Sequence, residues 1–375
     1  MCRLLLTLSI ASMAVAQNAA LFSDSALPQV AFAAGEIATS SARALREFPL
    51  AQVGAVACSP CLAIAAGAAQ NQRLATALGI AVPAVSAPQS YALRRVQTQG
   101  SMWIAVFGAD ANGALYGGLD LAEALKLNTL AQLQDSIHQP HIASRGIKFN
   151  IPLDVRTPSY SDNSTAAQAN IPEMWSFDFW REFLDDLARH RYNVLSLWSL
   201  HPFPSMVKAP EFPDVALNDV QRTRVPVDET YSHRGGDMLR PELLRNVETV
   251  RTMTIDEKIR FWRQVMQYAH DRGIRVFVFT WNIFAFGAEG KYGITVDQTN
   301  PRTIEYFRAC VREMILSAAG RHRHYGGRTD ERAERRLFEG KVALAHVWRR
   351  HSRRAKAAAG TSDDAHPPLP RDGAR

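Results

Sequence analysis

From Ile142 to Leu316 the chain alternates strand-like and helix-like segments, and that rhythm restricts the fold more than any other feature. SRGIKFNIPL (144–153) reads as a strand. WSFDFWREFLDDLARHRYN (175–193) reads as an amphipathic helix, with Phe179, Phe183, Leu184 and Leu187 on one face and Ser176 as its N-cap. VLSLWSL (194–200) is the next strand, and a long polar segment, roughly His201 to Met253, follows it. A second helix opens at Thr254, with Glu257 three residues on as a capping box, and stops at Gly273 in the C′ position. IRVFVFTWNIF (274–284) is a third strand, apolar enough to be buried on both faces. Asn300 caps a third helix whose first turn holds Pro301.

Strands alternating with long helices imply a parallel sheet. Three such units with a long loop after the second strand fit the opening half of a (β/α)8 TIM barrel, and an open doubly wound sheet is the alternative. No G-x-G-x-x-G follows an early strand, so no dinucleotide site is expected. Upstream, about Ala26 to Leu130 reads as a separate small α/β unit. ALPQVAFAAG (26–35) is a short apolar strand, and Ile37, Ala42, Leu45 and Phe48 are spaced for one side of a helix. SYALRRVQ (90–97) alternates like a half-buried strand, and MWIAVFGAD (102–110) is a continuous apolar one. ANGALYGGLDLAEALKL (111–127) is a helix whose interior Gly117 and Gly118 imply close packing on the sheet.

The two ends read differently. Met1–Arg3 is basic, Leu4 to Val15 is apolar or small, and Ala14-Val15-Ala16 is an A-x-A cleavage site. Residues 1–16 are therefore expected to be a secretory signal, and the mature protein exported, periplasmic or extracellular, with no membrane segment. From Arg321 to Arg375 there are 12 Arg and 2 Lys against 7 acidic residues, a net +7, equal to the net charge of the whole chain. The rest sums to zero, so no domain carries a basic face for nucleic acid. After Leu316 the strand–helix rhythm stops, and the tail shows Arg clusters with no clear strand. One permitted set of codons from Gly320, shifted by one nucleotide, reads as a strand GIGIT, a turn AGE and a Trp/Leu helix. The tail is accordingly expected to be low-order and out of frame. The expected organisation is 1–16 signal, 17–135 α/β domain, 142–320 half-barrel and 321–375 disordered tail. Cys58 and Cys61 form a C-x-x-C that is either a local disulfide or two small apolar residues.

Barrel active sites gather at the C-terminal ends of strands. That rule selects Arg145, Lys148, Asn150 and Asp154 on and after the first strand. It adds Trp198 and His201 after the second, and Trp281 and Asn282 after the third. Aromatic rings, amides and cations together suit sugars: ring C–H faces stack on Trp, hydroxyls take hydrogen bonds, and a uronate carboxylate pairs with Arg or Lys. Trp175, Trp180 and Trp262 read as helix-packing residues instead, and Asp185 and Asp186 diverge on their helix as solvated charges. His190, His233 and His270 have no ligand spacing, so neither metal nor cofactor is expected.

An α/β domain carrying GALYGGLDLAEAL, followed by RGIKFNIPLD opening a barrel, resembles secreted α-glucuronidases. More distantly it is similar to β-N-acetylhexosaminidases, which share the two-domain plan. The resemblance covers about residues 26 to 316 and makes the first unit hexosaminidase domain-2-like. It implies a glycoside hydrolase in which the R-G arginine, here Arg145, reaches the non-reducing-end sugar. It also implies two catalytic carboxylates on the fourth strand and later. Those positions fall in the tail, so the chain is expected to be catalytically incomplete. The substrate expected first is a uronic-acid-bearing plant or algal polysaccharide. An N-acetylhexosaminide and a non-catalytic carbohydrate-binding remnant are the alternatives.

Overall fold

The computed structural model of this protein describes residues 19–42, 44–98, 100–158, 165–227, 241–280, 284–318 and 342–344. Two sheets organise them. The first is built from β1 (Ala19–Ser23), α1 (Pro28–Ser40), β2 (Leu45–Pro49), β3 (Cys61–Ala66), α2 (Gly67–Leu78), β4 (Tyr91–Thr98), β5 (Ser101–Gly108), α3 (Ala111–Lys126) and β6 (Ser136–His138). Strand order is β2-β1-β3-β5-β4-β6, with the first four parallel and β4 antiparallel to β5 and β6. Period-2 alternation splits the side chains between two cores. Leu21, Ile64 and Val106 share one with α1 and α3, while Phe22, Ala63 and Phe107 share the other with Leu74 and Leu78 of α2. The paired glycines of α3 explain the close fit. A Cβ on Gly117 would lie 2.4 Å from Val106, and one on Gly118 would lie 2.6 Å from Ala33 of α1.

Here the structure departs from the sequence expectation. ALPQVAFAAG is not a strand; it starts α1, with Pro28 in the first turn. The alanine-rich run has good helix propensity and no period-2 pattern, and a short apolar stretch does not discriminate the two states. The helix expected through Phe48 ends at Ser40, and Leu45–Pro49 is instead the edge strand β2. The C-x-x-C is a disulfide, Cys58–Cys61, at the entrance to β3, a strand not foreseen.

The second sheet comes from β7 (Gly146–Asn150), α4 (Thr165–Asn170), α5 (Phe177–Arg189), β8 (Val194–Trp198), α6 (Phe203–Met206), β9 (Asp219–Thr223), β10 (Val247–Thr252), α7 (Ile255–Asp271), β11 (Arg275–Phe279), α8 (Pro301–Ala318) and β12 (Val342–Leu344). β7, β8, β11 and β12 lie side by side in chain order, all parallel and without the reversal a doubly wound sheet would show. β9 and β10 form a separate antiparallel ribbon. The helix signals hold: Ser176 accepts from the Phe179 N–H, Thr254 and Glu257 close a capping box, and Gly273 takes φ +72°. The Asn300 side chain accepts from the Arg302 N–H. Trp175, Trp180 and Trp262 are buried in one core with Leu195, Leu197 and Val276, as packing residues should be.

Three expectations change. The segment after β8 is not merely polar: it buries Phe203, Met206, Val207, Phe212 and Val215 in the same core. Asp185 is not solvated; it pairs with Arg272 at 2.7 Å and accepts from the Tyr268 hydroxyl, whereas Asp186 is exposed. The tail does contribute a strand, because Val342–Leu344 can take the main-chain hydrogen bonds β11 offers on its outer side. The signal region 1–16 and the rest of the tail lie outside the described residues.

Candidate functional site

In β7, Ile147 and Phe149 pack onto the helical side, where Phe149 meets Phe179, Trp180 and Phe183. Alternation then turns Lys148 and Asn150 to the opposite face. The same logic places Ser196 and Trp198 of β8, and Phe277 and Phe279 of β11, on that face. Register lines them up in two rows. Lys148, Ser196 and Phe277 form one; Asn150, Trp198 and Phe279 form the row at the C-terminal edge.

This edge holds an aromatic and cationic group. Trp198 and Phe279 stack with centroids 4.8 Å apart and planes 12° apart. The Lys148 ammonium lies 4.5 Å from the Trp198 ring centroid. The Trp198 indole N–H donates to Ser196 Oγ at 2.7 Å, which fixes the ring's rotation. Lys148 is exposed, and Asn150, Trp198 and Phe279 are half-buried, with the Asn150 Oδ1 atom itself buried. Of the expected residues, the structure brings Lys148, Asn150 and Trp198 together. Phe279 completes the group and was missed. The period-2 pattern of the third strand, counted back from Trp281, would have pointed to it. Trp281 and Asn282 themselves lie outside the described residues.

Arg145 is not part of this group. It precedes β7, at the opposite end of the strand, and its guanidinium makes four hydrogen bonds. It donates to Ile142 O at 2.7 Å, Arg191 O at 2.9 Å, Gln89 Oε1 at 2.9 Å and the Tyr116 hydroxyl at 3.0 Å. Gln89 and Tyr116 belong to the part of the chain that forms the first sheet, so Arg145 ties that part to the start of β7. Around it Arg189 makes two 2.9 Å bonds to Glu36, Arg191 pairs with Asp120, and the Gln29 amide donates to His270 O at 2.9 Å. Gly146 serves packing as well: a Cβ there would lie 2.6 Å from Val194 Cβ and from its carbonyl oxygen. Gly146→Ala is expected to destabilise the protein by about 1–3 kcal/mol, because β7 would have to move off β8. A lowered urea midpoint with an unchanged m-value would show it.

Asp154 and His201 are likewise structural. Asp154 is buried, pairs with Arg156 at 2.7 Å and accepts from the Gln221 N–H at 2.9 Å. Arg156 also holds Asp219 at 2.6 Å. A buried carboxylate needs such partners, and these anchor the loop after β7 to β9. Beside them Lys258, buried over the Trp175 ring, donates to Asp219 O at 2.6 Å, and burial pulls its pKa down to about 8. His201 is fully buried between Phe286 O, 2.6 Å from Nδ1, and the Tyr306 hydroxyl, 3.1 Å from Nε2. Since a carbonyl only accepts, Nδ1 carries the proton. Desolvation lowers the His201 pKa to about 4.

No family model matches the chain, and no curated protein matches it by sequence. Solved structures do. A GH138 enzyme targeting the pectin rhamnogalacturonan II is similar over 80% of this chain and 29% of its own, at 16% identity and a TM-score of 0.53. The exo β-N-acetylglucosaminidase of Vibrio harveyi, a GH20 enzyme, matches 80% of this chain and 42% of its own, at 12% identity and TM-score 0.41. The β-hexosaminidase of Streptomyces plicatus matches 81% and 53%, at 13% identity and TM-score 0.43. The chain thus shares its fold with part of the GH138 enzyme, and it spans about a third to a half of the length of these three structures.

Proposed function

We propose that this chain is the sugar-recognising part of an exported glycoside hydrolase, and that its parallel sheet is the opening of a (β/α)8 barrel. The first-choice substrate is a uronic-acid glycoside of a plant or algal polysaccharide. One observation carries the reading: Trp198, Phe279, Asn150 and Lys148 meet at the C-terminal edge of the parallel strands, where such folds place their sites. Aromatic faces, an amide and a cation are the groups an acidic sugar needs. The pectin named for the GH138 relative supports an acidic polysaccharide.

Hydrolysis would require a general acid and a second carboxylate. Asp154 and Asp219, the carboxylates that follow β7 and open β9, are both held by Arg156 and anchor one loop to the other rather than forming an acid pair. The chain is therefore expected to bind without turnover. Galacturonic and glucuronic acid should change its tryptophan fluorescence saturably, and aryl glucuronides should stay intact. Trp198→Ala should weaken binding by about two- to tenfold, in line with the roughly 0.5–1.5 kcal/mol of a stacking contact. If no sugar perturbs the fluorescence, this reading is wrong; aryl-glucuronide turnover by the pure protein would refute the inactivity.

A further inference from the structure

A cavity of about 460 Å³ opens at the C-terminal end of β7, lined by Phe149, by Phe179 and Phe183 of α5, and by Asn170 and Glu173 from α4 and the turn after it. Its size lies within the roughly 300–1,000 Å³ range of small-molecule sites. The three phenyl rings form one aromatic wall. Phe149 lies 5.3 Å from Phe183 and 6.2 Å from Phe179, and Phe179 and Phe183 stack at 5.7 Å with their planes 10° apart. All three are half-buried, so the wall keeps part of its surface open, and behind it each ring touches the buried Trp180. Charge at the cavity has one sign. Glu173 is the one charged residue among those that line it. It is exposed, and among the described residues its carboxylate makes no ion pair and accepts no hydrogen bond. Arg181, on the neighbouring helix α5, is held by Asp178 at 3.2 Å.

Aromatic faces carry negative charge and attract cations, quaternary ammonium groups above all. A carboxylate beside them adds attraction for a cation and repels an anion. A bare divalent metal ion wants several oxygen ligands, which a single carboxylate does not supply. We propose that this cavity binds a small organic cation, an alkylammonium whose methyl and methylene groups lie on the Phe149–Phe179–Phe183 wall and whose charge faces Glu173. Asn170, exposed at the rim, can take a hydroxyl of the same ligand. The inference stands apart from the carbohydrate reading above: the group at Lys148 and Trp198 suits anions, and this cavity suits cations. Selection works by charge as well as shape, because an anion of the same size meets a carboxylate of its own sign. No covalent bond is made or broken.

The test is a proton NMR titration of the full chain with choline and with its uncharged isostere, neohexyl alcohol, in which carbon replaces the quaternary nitrogen. The two share size and shape, so their difference reports charge alone. Wild-type protein should prefer choline by about tenfold, the combined scale of a cation–π contact and an exposed ion pair. Glu173→Gln should cut the preference by about threefold, and added salt should do likewise, because that carboxylate is exposed. Phe179→Leu keeps an apolar side chain and removes a ring, so it should weaken choline and leave the isostere within about twofold. Should Phe179→Leu fail to fold, Glu173→Gln, at an exposed position, still decides. Excess D-galacturonic acid should not displace choline. Binding of neither probe by wild type would overturn the inference, and so would equal binding of both. A preference unchanged in both variants would overturn it too, as would displacement of choline by the uronic acid. Failure of galacturonic acid to bind, with the choline preference intact, would sink the carbohydrate reading and uphold this one.

Discussion

Arg145→Met is expected to lower the unfolding free energy by about 3 kcal/mol, the scale of losing hydrogen bonds from one charged donor group. It should leave sugar binding within about twofold, less than 0.5 kcal/mol. The guanidinium meets four acceptors, two in the part of the chain that forms the first sheet and two in the loops before β7 and β8, and rests 5.3 Å from the Tyr116 ring centroid. Methionine keeps the apolar stem and removes every donor. The Ile142 and Arg191 carbonyls would then lose their partner, and the junction between the two sheets' parts of the chain would loosen. Urea melts should show the loss, and a second, earlier transition would mark separate unfolding of the two cores. Should sugar affinity collapse while stability holds, Arg145 would belong to the site after all, as the family resemblance implies.

The second large effect is acid lability set by His201. Its native pKa of about 4 lies below the ordinary 6.5, because burial penalises the charged ring. Below pH 6.5 the unfolded chain takes up a proton that the native state refuses until about pH 4. Stability is therefore whole above pH 6.5 and is lost as pH falls from there to 4, by about 3 kcal/mol in all. The loss matters locally, since neutral His201 links the loop after β8 to Phe286 and to Tyr306 on α8. His201→Gln keeps a donor and an acceptor but does not titrate. Thermal melts between pH 7 and 4 should fall steeply for wild type and stay flatter for the variant until carboxylates protonate. Parallel curves would show that His201 is not the cause.

Much of the second sheet was legible because its signals are local. Ser176, Thr254 with Glu257, Gly273 and Asn300 each satisfy or end a helix with their own side chain or φ, so their positions speak without knowledge of neighbours. Strand alternation likewise turned Lys148, Asn150 and Trp198 to one face. The first sheet and its helices are less legible. Its alanine-rich stretch from Ala26 to Gly35 fits helix or buried strand equally, and only packing against α3 decided for helix. There Ala33 meets Gly118, a contact between residues far apart in the chain. The segment after β8 was underestimated for a related reason: Phe203, Phe212 and Val215 are scattered among polar residues and share no period.

The R-G pair shows the division most clearly. The sequence determined that Arg145 and Gly146 open a strand, and that a run of cations, amides and aromatic rings follows toward sugar-like chemistry. It could not say which end of the strand each residue serves. Tertiary structure decided that: it brought Gln89, Tyr116 and Arg191 around Arg145, which makes the arginine a tie between distant parts of the chain. It set Val194 against Gly146, and it carried Lys148 and Phe279 from different strands to the Trp198 ring. Helix caps and strand alternation act over a few residues and are written locally. A buried charge or a stacked ring takes its role from partners that only the folded chain supplies.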